Sequence, residues 1–152
     1  LSAPHTTNDA FELGLGPGEL RGNYAHIGGQ IGYVLGSDEG DQLHISDNLV
    51  RVVPGGLVTE AGLRPWPNQW GHVVAHNIIR LDGGTANLLL TLEGGEAHVV
   101  MGNVFGANDL RSRVRIRGAR AIVTGNVFQY VDIFDDAVAS WGNNVLLSSV
   151  SL

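Results

Sequence analysis

Short apolar runs along this chain are broken, at a nearly constant spacing, by a glycine or polar residue and an asparagine. Six times an aliphatic residue is followed three places later by an asparagine-like residue and at once by an apolar one. The copies are Leu20-Arg21-Gly22-Asn23-Tyr24, Ile45-Ser46-Asp47-Asn48-Leu49, Val74-Ala75-His76-Asn77-Ile78, Val100-Met101-Gly102-Asn103-Val104, Val123-Thr124-Gly125-Asn126-Val127 and Leu146-Leu147-Ser148-Ser149-Val150. Their anchors lie 25, 29, 26, 23 and 23 residues apart, a solenoid period rather than a run of hairpins. The runs leading into the anchors (Val73-Val74, Val99-Val100, Ile122-Val123, Val145-Leu146) predict short strands. No helical periodicity competes; the best stretch, Asp135 to Ser140, reads equally as a turn or a strand.

Gly and Asn most easily take left-handed backbone angles, so each Gly-Asn or His-Asn pair predicts a sharp bend between two strands. With one such bend per coil, Asn23, Asn48, Asn77, Asn103 and Asn126, with Ser149 in the last slot, are expected to stack about 4.8 Å apart. Their amides then hydrogen-bond up the column and satisfy polar groups that the bend buries. The aliphatic residues before and after each bend are expected to point into the coil.

This pattern resembles the right-handed parallel β-helix repeat, the coil of pectate lyases, polygalacturonases, alginate epimerases, phage tailspikes and many surface proteins. The resemblance runs from about Gly18 to the end, with the clearest copies at His98 to Phe105 and Ala121 to Phe128. It implies an all-β fold, a single-stranded right-handed parallel β-helix of about six coils of 23–29 residues, in one domain spanning 1–152. Residues 1–17 are expected to cap the start, with Phe11, Leu13 and Leu15 turned inward. Residues 54–71 hold Pro54-Gly55-Gly56 and the stretch from Arg64 to Trp70, and are expected to leave the coil as a loop. The last bend falls close to Leu152, so the final coil face is expected to meet another copy, another protein or a continuation.

Composition changes the picture little. Twenty-two glycines suit short strands and tight turns, and without cysteine the stability must come from the stacked interior. No run of about 20 apolar residues predicts a membrane span. A net charge of −6 argues against nucleic acid as a partner. All basic residues are arginine, and Arg113, Arg115 and Arg117 alternate with Val114 and Ile116, placing the guanidinium groups on one strand face. That face is either plainly solvated or an anion-binding strip. Counting back from the asparagine slots, Arg113 and Asp136 are expected to stack as an exposed ion pair.

Three further sets carry candidate chemistry. Trp66 and Trp70, with Arg64, form a potential platform for the apolar faces of sugars on the 54–71 loop. His72 and His98 each lie five residues before an asparagine and are expected to be column neighbours, as a polar ladder or surface pair rather than a metal site. Asp132, Asp135 and Asp136 include a pair like the aspartates of polygalacturonases. That family's Asn-Thr-Asp, Gly-His-Gly and Arg-Ile-Lys motifs are missing, and Arg115-Ile116-Arg117 stands before the aspartates instead. There is no lysine to act as a lyase base.

The resemblance therefore implies a non-catalytic structural or binding module of a larger assembly, such as a phage tail fibre or bacterial surface structure, outside the cell. Its expected partners are further copies or other subunits, and a polysaccharide held by Trp66, Trp70 and Arg64 or by Arg113, Arg115 and Arg117. No cofactor is expected. The alternatives are a small lyase or hydrolase of an acidic glycan, using Asp132, Asp135, Asp136 and Arg115 and possible calcium, and a subunit that stacks end to end into filaments.

Overall fold

The computed structural model describes residues 11–13, 17–37, 42–65, 67–106, 113–117, 120–129, 131–133 and 138–147. Every regular element among them is a β-strand. Strand β1 (Phe11–Leu13) precedes the first turn, which is β2 (Gly18–Arg21), β3 (Tyr24–Ile27) and β4 (Gln30–Ser37). The second turn is β5 (Leu43–Ser46), β6 (Leu49–Val52) and β7 (Leu57–Arg64), and the third β8 (Val73–Ala75), β9 (Ile78–Leu81) and β10 (Thr85–Glu93). Then come β11 (Glu96–Met101), β12 (Val104–Gly106) and β13 (Arg113–Arg117), followed by β14 (Arg120–Thr124), β15 (Val127–Phe128) and β16 (Val131–Ile133). Strands β17 (Val138–Gly142) and β18 (Val145–Leu146) close the order.

Each turn visits three sheets in the same sequence, and every strand pairs in parallel with its counterparts one turn away. The first sheet holds β2, β5, β8, β11, β14 and β17; the second β3, β6, β9, β12, β15 and β18; the third β1, β4, β7, β10, β13 and β16. The chain is an all-β parallel solenoid. Four turns, from β2 to β13, carry a strand of at least three residues on every sheet, and β15 shrinks to two. The regular stack is thus about four turns rather than the six coils expected.

The bend from the first sheet to the second repeats with one geometry. The anchors Leu20, Ile45, Val74, Val100 and Val123 are buried, and the residue before each asparagine has positive φ: Gly22 66°, Asp47 56°, His76 55°, Gly102 64°, Gly125 65° and Asn143 54°. Glycine is needed most at 102, where a Cβ would also come within 2.6 Å of His76 Cδ2. The left-handed residue turns the chain so that the next side chain, the asparagine, points inward.

The asparagines then form a continuous ladder. Oδ1 of Asn77 accepts both the backbone N–H and the Nδ2–H of Asn48, at 3.1 and 2.8 Å, and Asn103 does the same for Asn77 at 2.9 Å each. The second Nδ2 hydrogen goes to an anchor carbonyl one turn back: Asn48 to Leu20, Asn77 to Ile45, Asn103 to Val74 and Asn126 to Val100. Each interior amide therefore uses two donors and two lone pairs. Among the described residues the rung after Asn126 is Asn144, whose Oδ1 accepts from Asn126 N and Nδ2 at 2.9 Å; Ser149, expected in that slot, lies outside them. Asn144 Nδ2 in turn donates to the Val123 carbonyl at 3.0 Å.

The residues after the bend correct a second expectation. Strand side chains alternate, so with the asparagine inside its successor must face out. Tyr24, Ile78, Val104 and Val145 are exposed, and Leu49 and Val127 half-buried, in one in-register outer column of the second sheet. The inward residues come one place later: Ala25, Val50, Ile79, Phe105 and Phe128 are buried. The rings of Phe105 and Phe128 stack at 5.5 Å, and Trp141, in the anchor slot before Asn144, stacks on Phe128 at 5.6 Å.

The loop expected over 54–71 is shorter, because Leu57–Arg64 is a full strand of the third sheet and the chain leaves the coil only after Arg64. Strand β1 adds to the edge of β4, Phe11 opposite Leu35, while residues 1–10 and 14–16, including Leu15, lie outside the described residues. Part of the ambiguous 135–140 stretch belongs to β17. No helix among the described residues is long and apolar enough to cross a membrane.

Candidate functional site

The third sheet has the longest strands, and its outer face carries a groove of about 250 Å³. Strand β7 supplies Thr59, Glu60 and Arg64, strand β10 supplies Asn87, Leu88, Thr91 and Glu93, and the following loop adds Pro65 and Pro67. A bulge makes this composition. Val58 stands opposite Ala86 and Ala61 opposite Leu88, so β7 has one residue more than β10 across the interval. Thr59 and Glu60 are consequently both exposed, against the alternation a regular strand would impose.

The groove side chains are held in place. Arg64 Nε lies 3.2 Å from Glu60 Oε2, and its guanidinium sits over the Tyr33 ring, 5.0 Å from the centroid. The Thr59 hydroxyl donates to the Ile31 carbonyl at 3.1 Å, and the Thr91 hydroxyl donates to Glu93 Oε1 at 3.2 Å. Two carboxylates, a guanidinium, two hydroxyls and an amide thus share one concave surface with an apolar patch at Leu88 and the prolines. Such a set offers donors and acceptors to a hydroxyl-rich ligand and fixed charge to an ionic one.

The arginine strand borders this groove. Thr91 stands opposite Arg115 and Glu93 opposite Arg117, and on the far side Arg115 stands opposite Asp132. Val114 and Ile116 are buried, so Arg115 and Arg117 occupy the outer face, half-buried and exposed respectively. The expected stack of Arg113 on Asp136 falls outside the described residues; among those described, Arg113 stands opposite Leu88 and Arg115 opposite Asp132. Asp135 and Asp136 lie outside the described residues, as do the side chains of Arg113 and Asp132.

Of the tryptophan platform, Trp66 lies outside the described residues, and Trp70 is 57% exposed at the far end of the loop, not among the groove-lining side chains. The loop is pinned to the turns on both sides: Asn68 N donates to Glu93 O at 2.7 Å and Gly71 N to Glu96 O at 3.0 Å ahead of it, and Gln42 N donates to Trp70 O at 2.7 Å from behind. His72 and His98 are column neighbours, with ring centroids 5.1 Å apart. Among the described residues no three His, Cys, Asp or Glu side chains are grouped to hold a metal ion.

Sequence reasoning brought out Arg64, Arg115 and Arg117 but not Thr59, Glu60, Asn87, Thr91 or Glu93. Their only signal is that polar residues hold the outer positions of two long strands one period apart. No family model matches this chain, and no curated protein or solved structure is similar enough to count as a match.

Proposed function

We propose that this chain is a non-catalytic binding module, a stiff solenoid whose third sheet holds an extended, hydroxyl-rich chain such as an acidic polysaccharide. The observation that carries this reading is the convergence of Arg64, Glu60, Asn87, Thr91 and Glu93 on one groove beside the Arg115–Arg117 strand. Arginine pairs with a sugar carboxylate, and carboxylates and amides take pairs of hydroxyls. Arg115 and Arg117 stand one strand further along the solenoid axis, opposite Thr91 and Glu93, which suits a ligand longer than one sugar. The setting that fits is a surface or phage-tail assembly outside the cell, on the strength of the β-helix resemblance and of a ladder that stiffens the coil.

Calorimetric titration with neutral and acidic oligosaccharides tests this. Binding of an acidic oligosaccharide, weakened about tenfold or more by Arg64→Ala, is expected, since a hydrogen bond to a charged group contributes about 1.5–3 kcal/mol. No binding across the panel, or shortening of the glycan with or without calcium, contradicts the reading.

A second reading, association of two copies of this chain, has its own observation: the exposed apolar column at Tyr24, Ile78, Val104 and Val145. The adjoining outer column of this sheet holds Arg51, Arg80 and Gly106 in register, with both arginines paired to Asp82, so charge borders the apolar column on one side. Light scattering is expected to show a dimer that Val104→Asp disperses; a monomer at every concentration contradicts it.

A further inference from the structure

Behind the loop wall of the groove stand two buried histidines that ligand binding does not use. His72 and His98 are each 1% exposed, and their rings lie nearly parallel, at 17°. Nδ1 of His72 accepts the N–H of Leu43, and Nδ1 of His98 accepts the N–H of His72, each at 3.2 Å. Nε2 of His98 is 3.1 Å from the Gly94 carbonyl oxygen. With Nδ1 accepting, the ring proton of His98 sits on Nε2 and donates to Gly94. In this arrangement both Nδ1 atoms need their lone pairs, so both rings are neutral.

A proton added at Nδ1 would face an N–H already aimed at the same atom. Two protonated rings would also place like charges 5.1 Å apart between buried side chains. Burial holds the His98 pKa below its ordinary value, and neighbouring His72 lowers it further, with the Gly94 carbonyl acting in the opposite sense. The remaining ionisable groups of the packed elements are Glu93 and Glu96 around the Gly94–Gly95 turn, Arg117 on β13, Arg120 on β14 and exposed His44 on β5. Glu96 and Arg120 line an outer recess of about 420 Å³ together with His98.

The same backbone segments hold the groove loop. Glu93 and Glu96 carbonyls receive Asn68 and Gly71, and a Cβ on Gly95 would come within 2.8 Å of His98 Nε2. The turn therefore has no slack around the imidazole.

We propose that the His72–His98 pair is an acid-operated latch, which on protonation releases the corner of residues 68–72 and 94–98 and with it the wall that Pro67 gives the groove. The release stands on the histidine geometry; its effect on a bound glycan rests on the reading of the groove given above. In the closed state the corner hydrogen bonds run from β5 through β8 to β11, so one protonation breaks the column at the step where it occurs.

The test is amide hydrogen exchange by NMR from pH 7.5 to 4.5, with the ring nitrogen shifts followed in parallel. The expected result is Nε2-protonated neutral rings at pH 7.5, then loss of protection at the Leu43 and His72 amides as the rings protonate. That loss should be about tenfold or more beyond the intrinsic pH dependence of exchange, while the Asn77 and Asn103 amides stay protected. His72→Asn with His98→Asn keeps an acceptor near each Nδ1 position but cannot titrate, and should retain protection at Leu43. Unchanged protection while the rings protonate, or simultaneous loss at the asparagine ladder, overturns the latch; these wild-type readings decide even if the double variant fails to fold. Glycan affinity over the same range separates the two layers. Corner release without loss of affinity overturns the link to the groove, whereas absence of glycan binding already at pH 7.5 overturns the groove reading and leaves the exchange result to decide the latch.

Discussion

Asn77 shows how much one residue carries in a solenoid bend. Its side chain takes two hydrogen bonds from Asn48 and gives one each to Asn103 and the Ile45 carbonyl. Asn77→Ala leaves several buried groups without partners, at about 1–3 kcal/mol each, so a loss of roughly 3–5 kcal/mol is expected in urea denaturation. Asn23, half-buried at the end of the column, should cost clearly less when replaced by alanine. Gly102→Ala places a side chain at φ 64° against the His76 ring and is expected to lower stability by about 1–2 kcal/mol. His98 makes stability depend on pH in a defined direction. Its folded pKa lies below the unfolded value near 6.5, so the unfolded chain takes up the proton first. Its contribution is complete above pH 6.5 and is lost as the pH falls from there through the lowered folded value. Thermal midpoints between pH 7.5 and 5 should fall accordingly, and His98→Asn should flatten the slope.

At the scale of elements, the sequence made the period and the inward anchors legible because buried aliphatic residues and bend asparagines have few substitutes. It misled where an apolar residue is tolerated without being buried. Val104 and Phe105 look alike in a hydropathy pattern, yet the first is exposed and the second fully buried. Alternation from the inward asparagine decides between them, and it was the neglected signal. Phe105→Ala should therefore cost about 3–5 kcal/mol in urea denaturation, through lost burial and a cavity beside Phe128. Val104→Thr should change the folding free energy of the monomer by no more than about 0.5 kcal/mol. The rung after Asn126 was illegible for a different reason. The chain goes from Asn126 to Asn144, 18 residues apart, and a period of 23 steps over it to Ser149. A short turn cannot be told from a missing one until the hydrogen bonds are seen.

On the whole molecule, the groove is a product of stacking. Arg64, Thr91 and Arg115 belong to three successive turns, and parallel pairing brings their strands side by side. Two candidate surfaces that the sequence left separate, the Arg64 loop and the arginine strand, thereby lie on adjoining parts of one sheet. The bulge that exposes Thr59 and Glu60 together had no signature in the apolar pattern, so that side of the groove was invisible beforehand. A concave polar surface built on strands also moves less than one built on loops, which favours a ligand held in extended form. The most direct measurement is amide chemical-shift mapping of the labelled protein during titration with an acidic oligosaccharide. Shifts concentrated at Thr59, Arg64, Thr91 and Glu93, extending to Arg115 and Arg117, are the predicted result. Saturating shifts confined to the Tyr24–Val145 column or to other surfaces, or none at any concentration, would contradict a glycan groove on the third sheet.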